Sequence, residues 1–118
     1  MGPENAATFY AGQPAASPAT VATVPTSPEQ DWIVDNVILT NTTGSAALVQ
    51  LNLVPVGGSA GVANELLSAS YSVAANSVVS LAGAGRLGIV LQPGATLYTG
   101  QTTAAAVTMR VTGRTRAH

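Results

Sequence analysis

Any acid–base chemistry in this chain would fall to its histidine and its carboxylates, and they are few. The 118 residues contain one histidine, five acids, four arginines, no lysine and no cysteine, for a formal net charge of -1. A serine nucleophile needs a base within ~3 Å, and the single histidine, His118, stands at the last position, where no scaffold is expected to hold it. The acids are Glu4, Glu29, Asp31, Asp35 and Glu65. Asp31 and Asp35 flank a tryptophan-led apolar run, and an even separation along a strand sets both on one face. With Glu65 opposite Asp35, a sugar-cleaving carboxylate pair is conceivable; the plainer reading makes these turn and surface acids. Without thiolates or an Asp/Asn/Gly loop of the calcium type, no metal is expected, and no cofactor or catalytic residue is assigned.

Gly83-Ala84-Gly85-Arg86-Leu87-Gly88 matches the G-x-G-x-x-G pattern of dinucleotide-binding turns. That fingerprint needs a following helix, whose N-terminus faces the pyrophosphate, and an acid about 20 residues later. Here Pro93-Gly94 interrupts within a few residues, and no Asp or Glu follows Glu65. A glycine-rich turn between strands explains the motif. Asn41-Thr42-Thr43 fits the N-glycosylation pattern, but the start MGPENAATFY lacks the basic and apolar regions of a secretory signal, so turn chemistry explains the motif better.

The elements around these residues read as β. Asp31 to Pro55 contains two long strands around the polar turn Asn41-Thr42-Thr43-Gly44-Ser45, which predicts a hairpin. In its second half Val49, Leu51 and Leu53 alternate with Gln50 and Asn52, giving one apolar and one polar face. The first half, Trp32 to Thr40, suits a central strand, with a bulge where Asp35 and Asn36 interrupt it. Further strands are expected at Val21–Pro25, Ser77–Leu81, Leu87–Gln92, Ala95–Gly100 and Ala106–Gly113. Glu65–Val73 fits either a helical or a strand period, and its serines and tyrosine favour the strand. The expected fold is therefore all-β, an antiparallel β-sandwich or jelly roll of about eight short strands.

Residues 1–30 differ in composition, with five of the seven prolines. They are expected to form an extended, polyproline-like arm in front of a sandwich domain at 31–118. The adjacent aromatics Phe9 and Tyr10 would let such an arm, on the order of 80 Å long, anchor in a neighbour's groove. Charge is too sparse for attraction to nucleic acid, and no segment reaches the ~18 apolar residues of a membrane span. The absence of lysine leaves the strand edges without their usual charged protection, which points to association.

A tryptophan-led strand, then Asn-Thr-Thr-Gly, then an alternating strand ending in Leu-Val-Pro before a Gly-Gly loop, resembles the small β-sandwich virion proteins of tailed bacteriophages. The likeness covers roughly Asp31 to Gly113. It implies a non-enzymatic head decoration or cement protein on the capsid surface, made in the host cytoplasm, partnered by the major capsid protein and by itself as a homotrimer. The partner-facing residues expected on this reading are Phe9, Tyr10, Trp32, Arg114 and Arg116, with the C-terminal arginines forking onto a partner's carboxylates. A tail, neck or fibre component would share these features. A carbohydrate-binding module would instead display Trp32 as a stacking platform, although a tryptophan inside an apolar strand more often packs in a core or interface.

Overall fold

Which strands pair is decided by where each apolar face can be buried, and the outcome is two antiparallel sheets. A computed structural model describes residues 4–27, 29–59, 61, 64–83, 85–101 and 106–117. In chain order the strands are β1 (Glu4–Gly12), β2 (Ala19–Thr23), β3 (Gln30–Asn41), β4 (Ala47–Val54), β5 (Glu65–Val73), β6 (Ser77–Ser80), β7 (Ile89–Leu91), β8 (Thr96–Gln101) and β9 (Val107–Ala117). The first sheet runs β1-β9-β3 with β6 and β7 both against β3, and the second runs β2-β8-β4-β5. β6 lies beside Ile38–Asn41 and β7 beside Trp32–Val34, so the two form one edge strand broken by residues 81–88. Counted so, the described residues form an eight-stranded jelly roll.

The core fills the space between the sheets. Val34, Val37 and Leu39 of β3 and Val107, Met109 and Val111 of β9 are buried with Val49 and Leu51 of β4 and Leu97 of β8. Val34 and Val37 both face inward although three residues apart, because the register shifts between Val34 and Asn36. The bulge expected at Asp35 and Asn36 is this shift. It turns Asn36 onto the base of the 81–88 excursion: its Nδ2 donates to Ser80 Oγ at 2.9 Å, and its Oδ1 accepts from the Ala82 N–H at 3.0 Å.

Two expectations are corrected here. Asp31–Pro55 is not a hairpin, since β3 lies in one sheet and β4 in the other. Asn41, 1% exposed, explains why. Its Nδ2 donates to the carbonyls of Ser45 (2.9 Å) and Val73 (3.1 Å), and its Oδ1 accepts from the Thr43 N–H (2.9 Å) and Thr43 Oγ1 (2.7 Å). These bonds fold Asn41–Ser45 into an arch across the sandwich, and β3 pairs instead with β9 from Gln30 to Asn41. Nor does the described part of the expected arm at 1–30 stand apart: β1 pairs with β9, and β2 pairs with β8. Pro14, Pro18 and Pro25 fall in the connections, where their missing N–H groups cost no ladder bond. Residues 4–12 and 19–23 between them are free to pair.

β9 also continues to Ala117, past the expected end at Gly113. Gly113 is a point of close approach inside the strand. A Cβ there would collide with the carbonyl oxygen of Ile33, where the bulged β3 leans on β9. Gly113→Ala is therefore expected to lower stability by about 2 kcal/mol or more in urea unfolding. Gly44→Ala, which meets nothing within 4 Å, should leave it within about 0.5 kcal/mol. Equal effects would show that the approach of β3 to β9 is not tight.

Candidate functional site

The residues expected to face a partner lie along the β1-β9-β3 seam, where Phe9 meets Trp32 and the two arginines meet acids of their own chain. Alternation along β9 sends Met109 and Val111 into the core and leaves Arg110, Thr112, Arg114 and Arg116 on the outer face. Arg114 stands opposite Ala6 of β1 and Ile33 of β3, and Arg116 stands opposite Glu4 and Asp31. Acids on both flanking strands are thus within reach of arginines on the strand between them.

Arg114 forks onto Asp35, with Nε to Oδ2 at 2.8 Å and Nη2 to Oδ1 at 3.0 Å, and its Nη1 reaches Glu4 Oε1 at 2.8 Å. The hydrogen bonds to Asp35, and then to Glu4, raise the guanidinium pKa above its already high value. Arg114 is a permanent cation joining β1 to β3 across β9. Arg116 Nη2 donates to Asp31 Oδ2 at 2.8 Å, and Asp31 is 7% exposed. The two aspartates share a face, as their spacing implied, but each is matched to its own arginine. This arrangement holds opposite charges in place across the seam.

Phe9 falls at a register shift between Thr8 and Tyr10. Its ring stacks on Trp32 with centroids 4.4 Å apart and planes 11° from parallel, so the aromatic contact also spans β9. Both rings are half-buried and pack against the core cluster. One face of Trp32 is covered by Phe9 and is not a platform for a sugar. Tyr10, opposite Val111, packs against the same cluster, and burial raises its phenol pKa above 10.0. The connection after β1 is held by Gln101, a buried residue that sequence reasoning did not single out. Its Nε2 donates to the Pro14 carbonyl at 2.7 Å, its Oε1 accepts from the Val107 N–H at 2.9 Å, and its own N–H donates to the Ala15 carbonyl at 3.0 Å. A glutamine at a strand end reads as a turn residue, so only tertiary contact reveals this role.

The other candidates resolve as follows. Gly83 and Gly88 have φ of 61° and 68°, and the segment between them leads into β7 and not into a helix. Ala84, His118 and the side chain of Glu65 lie outside the described residues. Among the described residues, no three of His, Cys, Asp and Glu gather where they could hold a metal, and no helix is long and apolar enough to cross a membrane. At the mouth of the sandwich, Leu53, Val56, Leu66, Ile89 and Val90 line an open groove of about 540 Å³. Its lining is chiefly apolar, with Asn64 and Gln92 the polar exceptions.

No protein-family model and no curated protein matches the chain. A solved structure of Bacillus endospore appendages, described as a novel family of disulfide-linked pili, is similar to it over 97% of this chain and 86% of that one, with a TM-score of 0.52 and 17% identity. At that identity the likeness concerns the fold. The cysteine-free sequence cannot reproduce a disulfide link.

The seam makes distinct demands on its members. Trp32→Ala should cost about 2 kcal/mol in urea unfolding, reflecting a half-buried ring and a lost stack. Asp35→Asn should lower the midpoint more than Glu4→Gln, because it removes the charge that both arms of the fork share and replaces one of the two accepting oxygens with an NH2 donor. A larger loss from Glu4→Gln would overturn this ranking. The pH dependence follows from Tyr10: its folded pKa is raised, so its contribution is complete below about pH 10 and is lost as pH rises through the raised value. Tyr10→Phe should flatten that alkaline decline, as read from unfolding curves between pH 8 and 11.

Proposed function

We propose that this chain is a non-enzymatic structural subunit of a tailed-phage virion, a head decoration or cement protein that associates with itself and binds the assembled capsid shell. One observation carries the reading. Asp31, Asp35 and Glu4 are engaged by the chain's own arginines, while Val21, Val56, Val78 and Val90 remain 36, 60, 66 and 47% exposed. Such a surface meets its neighbours through scattered apolar contact and neutral strand edges, and long-range charge contributes little. Binding of this kind is weak per copy and suits a lattice in which many copies contribute. The major capsid protein is the partner on this reading, with the capsid surface as the location. Neither nucleic acid nor membrane is a partner.

A second reading is favoured by the structural neighbour. Because that neighbour belongs to a pilus, a repeating subunit of a fibre, including a virion tail or neck fibre, fits the same fold and the same apolar surface.

Quantitative mass spectrometry of purified particles separates the readings. Decoration predicts a copy number near that of the major shell protein. A handful of copies per particle would transfer the assignment to tail, neck or fibre, and absence from particles would remove the virion reading.

A further inference from the structure

Each sheet of the sandwich has two edges, and a strand edge can extend into another chain unless something obstructs it. Three of the four are obstructed. The β6/β7 edge of the first sheet is interrupted by residues 81–88, whose ends are fixed to β3 by Leu81 N–H to the Val37 carbonyl (3.0 Å) and Leu87 N–H to the Asp35 carbonyl (2.7 Å). β2 spans only five residues, and its register shifts in the middle, between Thr20 and Ala22. β5 is kinked: its ladder with β4 shifts twice, between Val49 and Leu51 and between Leu51 and Asn52.

β1 is different. From Glu4 to Thr8 it keeps an unbroken register with β9, and the shift comes only after Thr8. Among the described residues its main chain is hydrogen-bonded to β9 alone, so alternate N–H and C=O groups along its other side face outward. Its side chains there are small, Asn5, Ala6, Ala7 and Thr8, and most are exposed. Its one charge, Glu4, is already matched by Arg114 at 2.8 Å. It therefore carries neither the lysine nor the proline that usually guards an exposed edge.

We infer that β1 is the edge through which two copies of this chain pair, antiparallel about a two-fold axis, so that their β1-β9-β3 sheets become one continuous sheet. The register that pairs the whole straight stretch sets the axis at Ala6, with Glu4 opposite Thr8 of the second copy and Asn5 opposite its Ala7. No like charges then face each other. An edge that pairs with itself is isologous and closes at two copies, so this contact gives a dimer where the phage resemblance implies a trimer. The Phe9–Trp32 stack and the Arg114 fork acquire a further role, since they bind β1 to the sheet firmly enough for it to present its far side. The inference takes from the proposed function only that the chain associates with itself. Its test uses the purified chain, so its failure is separate from the copy number in particles.

The cysteine-free sequence permits a direct test. The unmodified chain is weighed by native mass spectrometry and light scattering across a dilution series. Asn5→Cys, Ala6→Cys, Ala7→Cys, Thr8→Cys and, on the opposite edge, Val78→Cys are then oxidised one at a time. A dimer that dissociates on dilution is expected, with disulfide yield highest at Ala6→Cys and falling on either side. Only a residue at the axis meets its own counterpart within the Cα separation of about 4.4 to 6.8 Å that a disulfide requires. Val78→Cys should give background yield. A monomer at every concentration, a trimer, a flat yield along β1, or cross-linking at Val78→Cys equal to that in β1 would each overturn the inference.

Discussion

The pairing of β9 with β3 on one side and β1 on the other is the contact on which the first sheet depends. One strand, lying between two, carries inner residues that fill the core and outer arginines that meet acids from both neighbours. Its close approach at Gly113 brings the bulged β3 near enough for Arg114 to fork onto Asp35. The same arginine reaches Glu4 at the start of β1. Because Phe9 and Trp32 also meet across β9, the N-terminal strand is tied to β3 on both faces of the sheet. Remove β9 and neither β1 nor the bulge of β3 has a partner.

This arrangement changes what the N-terminal segment is for. An arm reaching out to neighbours would place its aromatics and its acid on another subunit. Here the aromatics pack against the chain's own core cluster, the acid is paired within the chain, and Gln101 fixes the connection that follows. In the inferred dimer the segment meets its second copy with its main chain, along the side turned away from β9. Association by such an edge is governed by shape and unpaired backbone groups, which fits a chain with four arginines, no lysine and little net charge.

How far the fold was legible follows from the kind of signal each element carries. Period-two alternation located the strands well, and β6, β7 and β8 lie close to their expected places because each is bounded by glycine, proline or asparagine. The bulge at Asp35 and Asn36 was legible because two polar residues interrupt an apolar run. The hairpin was misread because the turn chemistry of Asn41–Ser45 is the same whether the chain returns to its own sheet or crosses to the other. What distinguishes the two is the bond from Asn41 to Val73, a residue far along the chain. β1 was hidden by composition: prolines in the connections made the whole segment look irregular, although residues 4–12 contain none. The five interface candidates were residues of the right chemistry, but a sequence does not say whether an arginine's carboxylate lies in the same chain or in another.

Amide hydrogen exchange along residues 4–12 tests the central claim most directly. If β1 is a strand of the jelly roll, at least every second amide from Asn5 to Gly12 is protected alongside those of β3 and β9, with a break at Phe9. Exchange at random-coil rates throughout 4–12, while β3 and β9 stay protected, would show that the segment is a detached arm and would contradict the account.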